Sequence, residues 1–288
     1  MREKRWTIWM TLSVIVALLW TLVPMYWTLK YAFETHSEIA AFPPLIFPPN
    51  PQVAAFFNIF GHDYTLASGQ VVKGSGQAQQ IMLGLRNSLI VAIVVTIITT
   101  LVVVPLSYVY ARLEFRFKTA LLMAVLLSVS LPPVSTLIPF YSLYVQLDLV
   151  GTLTGLIIIT LTITIPIVTW MLIGFFRNLP PIENLARIDG FSKAYTFIRI
   201  IVPMAWSGIL VAAVIAFLFS WNEYVYAQVL VTGSRAVTLP AAMSGFLFQV
   251  PNPEHLAASL TISLLPPFFI AFFLQRHIVE MNLSDPVR

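Results

Sequence analysis

The sequence predicts an all-α integral membrane protein with six transmembrane helices, from its composition and from the length of its apolar runs. Hydrophobic residues make up 58% of the 288 residues and charged residues only 10%, whereas soluble domains carry about 25% charged residues. A helix needs about 20 apolar residues to cross about 30 Å of hydrocarbon. Six apolar segments approach that length: residues 7–29, 88–110, 120–144, 153–176, 204–229 and 256–275.

The first apolar segment is predicted to remain as an uncleaved N-terminal span within residues 1–30. Its run of about 23 residues exceeds the roughly 7–15 that are usual in a secretory signal peptide. Aromatic residues lie at both ends of the run, as they do at membrane–water interfaces. They are Trp6, Trp9, Tyr26 and Trp27.

Prolines within the later segments predict that several of these helices are kinked. Such prolines would be unusual in the helices of a soluble protein. In a membrane bundle, neighbouring helices re-satisfy the backbone groups that a proline frees. The prolines concerned are Pro105, Pro132, Pro133, Pro139, Pro166, Pro266 and Pro267.

The distribution of Lys and Arg predicts that both termini face the cytoplasm. With the N-terminus inside, the inner segments hold twelve of the 16 basic residues, as the positive-inside rule requires. The basic pI of about 9.4 is therefore a topology signal, and no nucleic-acid partner is predicted. The outer segments keep Lys30, Lys73, Arg86 and Arg235.

The longest predicted loop, residues 31–86, lies outside the membrane. Its proline cluster from Pro43 to Pro51 favours extended backbone. The stretch from Gly69 to Gln80 is rich in Gly, Ser and Gln and is expected to be flexible. A second outer loop is expected over residues 230–255.

Nothing in the sequence predicts an enzyme or a metal centre. The chain has no Cys, so neither disulfides nor thiolate metal sites are expected. Its four histidines are scattered without metal-ligand spacing. It contains no nucleophile motif and no phosphate-binding Gly-rich loop. We therefore expect no cofactor on this chain and no ATP hydrolysis by it.

The inner segment of residues 177–203 changes from all-round apolar to amphipathic. Pro180-Pro181 can open a short helix, Asp189-Gly190 marks a break, and Ser192 is a candidate N-cap for a second helix. Apolar residues keep helical spacing in both helices: Ile182, Leu185 and Ala186, then Ile188, Phe191, Tyr195 and Ile198. Such a face outside the bilayer lies in the headgroup region or in a partner's groove. The alternative is an ordinary inner loop with the expected basic charges.

The sequence ENLARIDG at Glu183–Gly190, followed by Ile200-Ile201-Val202-Pro203, resembles the EAA loop of ABC importer permeases. That motif has Ala, three residues, Gly, nine residues, Ile, one residue and usually Leu-Pro. Ala186, Gly190, Ile200 and Pro203 fall in register. Other motifs are similar to the carbohydrate-importer branch, in particular its maltose-permease-like smaller subunit. They are Asn87-Ser88-Leu89, Trp221-Asn222-Glu223-Tyr224, Thr238-Leu239-Pro240 and Leu274-Gln275-Arg276.

The resemblance implies a cytoplasmic coupling-helix loop between the fourth and fifth spans. This loop lies within a five-helix permease core of residues 87–276, followed by a tail of residues 277–288 that lacks the branch's Gly-rich basic ending. The implied location is a bacterial or archaeal cytoplasmic membrane. The implied partners are a second permease, two ATP-binding subunits that carry Mg-ATP, an extracytoplasmic substrate-binding protein and the lipid bilayer.

The resemblance also implies which residues couple the chain to the ATPase. They are Glu183, Asn184, Leu185, Ala186, Asp189, Gly190, Ile200 and Pro203. The sequence departs from the motif because the family's Glu aligns with Asn184 and its first Ala with Leu185. In the family that Glu contacts an Arg of the ATPase, so Glu183 stands one residue from the expected position.

Three further residues are candidates for contacts near an outer gate: Asn222, Glu223 and Gly245. Glu223 lies ~28 Å along the fifth segment from Met204, near the interface where the cost of a charge falls. An interfacial anchor is the alternative. Residues 233–254 resemble in position the loop that reaches into the binding protein in maltose-type systems, and an inert connector is the alternative.

The function implied is ATP-driven import of a sugar, such as a maltose-like or trehalose-like oligosaccharide. Glycerol phosphate or another polyol is an alternative cargo for the same machinery. An ion-coupled carrier and a membrane anchor without a transport path are alternatives from other classes. Charge pairs at mid-membrane would favour the carrier, and the sequence predicts none.

Overall fold

The computed structural model describes residues 2–66, 69, 71–74 and 76–283, and it confirms the all-α class. One antiparallel hairpin pairs β1 (Tyr64–Thr65) with β2 (Val71–Val72). The helices are α1 (Arg2–Tyr31), α2 (His36–Ile39), α3 (Ala54–Ile59), α4 (Gly76–Arg112), α5 (Lys118–Ser130), α6 (Pro133–Gln146), α7 (Leu153–Asn178), α8 (Glu183–Ile188), α9 (Lys193–Thr196), α10 (Val202–Met204), α11 (Trp206–Trp221), α12 (Val225–Leu230), α13 (Leu239–Phe248), α14 (Pro253–Ser263) and α15 (Leu265–Leu283).

Among the described residues, five stretches are long and apolar enough to cross a membrane. They are Trp9–Tyr31, Gly76–Arg112, Leu153–Asn178, Trp206–Leu230 and Pro253–Gln275. The predicted segment 120–144 is a bent pair instead, in which α5 and α6 meet at 90°. Counting this pair as one span gives the six spans that the sequence predicts.

Two adjacent prolines cause the bend between α5 and α6. Leu131 and Pro132 have extended backbone, with ψ of 124° and 134°. A residue before proline is disfavoured in the helical region, so Leu131 ends α5. Pro133 then occupies the first turn of α6, where a missing N–H is tolerated.

Two other predicted spans are each made of two helices. The fifth, residues 204–229, breaks between α11 and α12 at residues 222–224. The sixth, residues 256–275, breaks at Leu264, between α14 and α15. Pro266 and Pro267 fall in the first turn of α15, where the absence of an N–H costs little.

The segment of residues 31–86 is more structured than the expected long loop. It contains α2, α3 and the hairpin, and α4 already begins at Gly76, within the stretch that was expected to be flexible. Ala78 and Ile81 are buried, so packing stabilises a helix that composition alone does not favour. The expected outer loop of residues 230–255 likewise contains α13.

The described chain forms two compact units, and the first comprises residues 2–83 and 242–265. In it α14 packs against α1, α2 and α3. Lys30 Nζ and Glu34 Oε1 form a buried ion pair at 3.1 Å. Because Lys30 lies at the end of the first span, this pair is not the mid-membrane charge pair that an ion-coupled carrier would favour.

The second unit comprises residues 84–241 and 266–283, and its core lies where α7 packs against α11. Small residues allow the helices to approach closely, as in other membrane bundles. A Cβ on Gly208 of α11 would lie 2.6 Å from the Phe175 ring of α7. The buried core residues are Val103, Val104, Val168, Leu172, Phe176, Ile201, Ala205, Ile209, Ala212 and Ala216.

Two glycines of α7 should respond differently to alanine. A Cβ on Gly155 would lie 2.4 Å from the Leu149 carbonyl oxygen, whereas a Cβ on Gly174 meets nothing within 4 Å. We expect Gly155→Ala to destabilise the protein by about 1–3 kcal/mol through overpacking, which lowers its thermal unfolding temperature in detergent. Gly174→Ala is the matched control and should leave that temperature unchanged or slightly higher. Equal unfolding temperatures for the two variants would contradict the packing at Gly155.

Candidate functional site

The segment between α7 and α11 folds into short helices, as the sequence predicts. Pro180 and Pro181 precede α8 rather than open it, because the helix begins at Glu183 after Ile182. The segment then continues through α9, a π-helical turn at Phe197–Ile201, and α10.

The turn after α8 explains the spacing of Ala186 and Gly190. Gly190 has φ of +83°, a left-handed conformation that glycine adopts without a steric penalty. Its N–H donates to the Arg187 carbonyl at 3.1 Å, and the Phe191 N–H donates to the Ala186 carbonyl at 3.0 Å. These two bonds form a Schellman motif, which satisfies the last carbonyls of the helix. Asp189 is the C-cap residue.

The second short helix begins where it was predicted to begin. Ser192 Oγ accepts a hydrogen bond from the Tyr195 N–H at 3.2 Å, which confirms Ser192 as the N-cap. Beyond α9, Ile200 is half-buried and Pro203 is exposed. The neighbouring Ile201 supplies the buried contact to the core of the second unit.

Arg112, at the end of α4, fixes the start of this segment. Its guanidinium donates to the Leu179 carbonyl, and to the Pro180 carbonyl at 3.4 Å. Its Nε lies 3.5 Å from Glu183 Oε1. Because both side chains are partly exposed, the ion pair contributes at most about 1 kcal/mol, and the carbonyl contacts add directional restraint. Glu183 is therefore engaged within this chain.

Arg112 is a positioning residue that the sequence does not reveal, since there it is only one of the basic residues of an inner segment. Its position in the last turn of α4 is the available signal, since a cation there can bind free carbonyl groups. In this structure those carbonyls belong to the following segment, and no sequence spacing reveals that contact.

An apolar surface of α8 and α9 faces outward, but its composition differs from the prediction. Ile182 and Ala186 turn toward the core, whereas Leu185 is 63% exposed and Ile188 is 80% exposed. We call the exposed set the outward apolar surface, where outward means away from the core of the second unit and not toward the outside of the cell. It consists of Leu185, Ile188, Phe191, Tyr195 and Ile198.

A cavity of about 370 Å³ lies beside this surface. Arg112, Arg187 and Lys193 line it together with Glu183 and Asn184, so basic side chains outnumber acidic ones. Asn184 therefore lies at a partly polar concavity, where it is available to a partner.

Asn87-Ser88 of α4 contacts the segment that contains Thr238-Leu239, within the second unit. The buried Asn87 amide of α4 donates to the carbonyls of Arg235, at 2.9 Å, and Val237, at 2.8 Å. Ser88 Oγ accepts from the Leu239 N–H at 2.9 Å. These bonds satisfy the backbone where α13 begins, which gives Asn87-Ser88 and Thr238-Leu239 a shared structural role.

Glu223 caps a helix in this structure. Its two carboxylate oxygens each accept a hydrogen bond at 2.9 Å, from the N–H groups of Tyr226 and Ala227. They satisfy donors in the first turn of α12, which would otherwise lack partners. The sequence predicted that Glu223 lies near the end of one continuous helix. This prediction is wrong, because α11 ends at Trp221.

A cavity of about 490 Å³ lies next to this cap. Asn222 and Glu223 line it on one side, with Thr160 and Thr164 of α7 and the half-exposed ring of Phe219. The Asn222 amide donates only to the Leu218 carbonyl, at 2.9 Å, among the bonds described for it. The cavity is therefore mainly apolar, with the Phe219 ring and a few polar groups among its lining residues.

Gly245, the third gate candidate, is buried on α13. A Cβ there would lie 2.4 Å from Gln77 Oε1, so this glycine permits close packing. The exposed apolar residues that follow it are Leu247, Phe248 and Val250, and they are accessible to a partner where Gly245 is not. Across the described residues, no cluster of three or more His, Asp or Glu side chains has the arrangement of a metal site.

Residues 103–280 match the family described as Binding-protein-dependent transport system inner membrane component. The chain is 32% identical over 209 residues to the Trehalose transport system permease protein SugB of Mycobacterium tuberculosis, covering 71% of this chain and 76% of that protein. It is 27% identical over 262 residues to the Sulfoquinovosyl glycerol transport system permease protein SmoH of Agrobacterium fabrum, covering 90% and 86%.

Among solved structures, the fold is similar to that of a bacterial ABC transporter involved in the import of the acidic polysaccharide alginate. The TM-score is 0.76, and the match covers 96% of this chain and 97% of that chain. At 14% sequence identity, this similarity concerns the fold alone.

Replacing Glu223 tests whether its carboxylate acts as a cap. We expect Glu223→Ala to destabilise the protein by about 1–3 kcal/mol, because charged groups form the stronger hydrogen bonds. Glu223→Gln should destabilise the protein less, since the amide oxygen of Gln still accepts one N–H. Thermal unfolding in detergent measures both effects. Asn222→Ala is the neighbouring control, and an equal loss from it would contradict the capping role.

Proposed function

This chain belongs to the family of binding-protein-dependent transport system inner membrane components, and from that premise we propose that it is the permease subunit of an ATP-driven sugar importer. The observation that carries the proposal is the family match over residues 103–280, which includes the Gly190 turn and the outward apolar surface. Family membership also decides against the ion-coupled carrier and the passive anchor.

A sugar is the cargo that the relatives favour. One is named for trehalose and another for sulfoquinovosyl glycerol, so both names refer to carbohydrates or their conjugates. The cavity beside Asn222 has the aromatic ring of Phe219 and the Asn222 amide among its lining residues, the mainly apolar lining with few polar groups that is typical of small-molecule sites. Glycerol phosphate or a polyol remains the second candidate, although the Glu223 carboxylate in the cavity lining disfavours a phosphate there.

The chain is proposed to act within an assembly. A second permease completes the translocation pathway, two ATP-binding subunits hold and hydrolyse Mg-ATP, and an extracytoplasmic binding protein delivers the cargo. This chain supplies no catalytic residue. It lies in the cytoplasmic membrane of a bacterium or archaeon with both termini inside, as the Lys and Arg distribution favours.

Residues 177–203 are proposed to transmit motion from the ATPase. The outward apolar surface fits a groove of an ATP-binding subunit, in the helix-in-groove mode of recognition. Inward, the segment is joined to α4 through Arg112 and to the core through Ile201. These contacts are the route by which a displacement of α8 reaches α4 and the core. Because Glu183 is paired with Arg112, Asn184 is the better candidate for a polar contact with the ATPase.

Transport by the reconstituted assembly tests the proposed function. Proteoliposomes containing both permeases and the ATP-binding subunits should take up radiolabelled trehalose or maltose only with ATP and the binding protein. Uptake of labelled glycerol phosphate instead would support the second cargo. Uptake driven by an ion gradient in the absence of ATP would contradict the proposal.

Two glycine variants separate coupling from backbone strain. We expect Gly190→Asp to insert normally but to abolish ATP-driven uptake, because a charged side chain then lies beside the outward apolar surface. Gly61→Asp is the matched control: Gly61 has φ of +84°, and a Cβ there also meets nothing within 4 Å. It bears the same backbone strain and should retain transport.

Membrane yield and initial uptake rate are the two measurements for these variants. Wild-type uptake by Gly190→Asp would contradict the coupling role of the segment. Equal losses of uptake in both variants would show that strain, rather than location, causes the defect.

A further inference from the structure

The proline-rich segment of residues 42–51 exposes large apolar side chains although it is not part of a helix. Phe42 is 94% exposed, Ile46 is 65% exposed and Phe47 is 74% exposed. The chain has no Asp, Glu, Lys or Arg between Glu38 and Asp63. A contiguous exposed apolar surface of this kind marks a contact with a partner or a membrane.

This segment is held against the chain at two points of the first unit. The Tyr26 hydroxyl of α1 donates to the Ile46 carbonyl at 2.5 Å, and the Tyr26 ring meets the Phe47 ring edge-on at 6.2 Å. At the far end, the Gln52 N–H donates to the Phe33 carbonyl at 2.8 Å. The position of the exposed residues is therefore fixed relative to α1.

The position of Tyr26 in α1 gives the depth of the segment in the membrane. The first span runs from Trp9 to Tyr31, so Tyr26 lies about 26 Å along the axis from Trp9 and about 7 Å before the end. That is near the hydrocarbon boundary, where Tyr residues concentrate. Ile46 lies at a similar depth, because its carbonyl accepts the hydrogen bond from the Tyr26 hydroxyl. None of the apolar window of α1 is buried within this chain, so the segment adjoins a helix with a free apolar face.

The sequence of the segment lowers the cost of placing irregular backbone at this depth. An N–H group without a partner is expensive in a membrane, and proline has no N–H. Five of the ten residues from Phe42 to Pro51 are prolines. The Ile46 carbonyl, next to the most apolar part, already has its partner in Tyr26.

We propose that residues 42–47 insert into the interfacial layer of the bilayer and anchor the first unit to lipid. A protein partner would be expected to meet polar and charged groups around an apolar centre, and this segment offers no charge. The inference uses only the membrane location of the chain, so it holds whichever cargo is transported.

Single spin labels test the insertion, because the chain has no cysteine and each introduced thiol is unique. Phe42→Cys and Phe47→Cys are labelled in the transporter assembled with cysteine-free partner subunits, in nanodiscs of phosphatidylcholine and phosphatidylglycerol. Collision rates with oxygen, which partitions into lipid, are compared with those of a water-soluble nickel chelate. The mid-span reference is Trp20→Cys, which replaces an 85% exposed residue. The aqueous reference is Thr65→Cys, on an exposed position of β1.

We expect the oxygen-to-nickel ratio at residues 42 and 47 to exceed the Thr65 ratio severalfold and to remain below the Trp20 ratio. A ratio equal to that of Thr65 would overturn the proposal, because the segment would then lie in water. Low collision rates with both reagents would also overturn it, because a protein would then cover the segment. Phe42 is the better labelling position, because its side chain is almost completely exposed and its replacement by cysteine removes little packing.

Discussion

The left-handed turn at Gly190 is the constraint on which the segment between α7 and α11 depends. With φ of +83°, it returns the chain so that the Ala186 and Arg187 carbonyls are satisfied and α8 can stop after six residues. In this arrangement Ala186 is buried, while Leu185 and Ile188 are exposed. A Cβ-bearing residue there would be strained, and without the turn α8 and α9 would not present one outward surface.

A second constraint comes from lipid, in which free backbone groups are costly. The membrane helices break repeatedly, and two of the breaks are locally compensated. Pro132 and Pro133 separate α5 from α6 without exposing a donor of their own, and Glu223 accepts two N–H groups where α12 begins. At the start of α14, Asn252 Oδ1 accepts from the His255 N–H at 3.1 Å. Glu223 and Asn252 therefore both serve as acceptors for the first N–H groups of a helix.

The sequence predicts the helical class, the apolar stretches and the Ser192 cap because these depend on local composition and spacing. The sequence does not predict features that depend on contacts between residues far apart along the chain. The helix from Gly76 depends on burial of Ala78 and Ile81. The packing of the Ile182 side chain against the core and the carbonyl contacts of Arg112 depend on contacts between α4 and the segment after α7. Glu223 was placed on an unbroken helix because its neighbours are apolar, and nothing in their spacing reveals the break at residue 222.

The surface around Ile188 is proposed to receive an ATP-binding subunit, and cross-linking can detect that contact. Ile188 is 80% exposed, so Ile188→Cys can carry a photoactivatable maleimide as the only thiol on this chain. Irradiation of the assembled transporter with and without ATP should give an adduct with the ATP-binding subunit. Adducts with lipid alone, at every stage of turnover, would contradict the account.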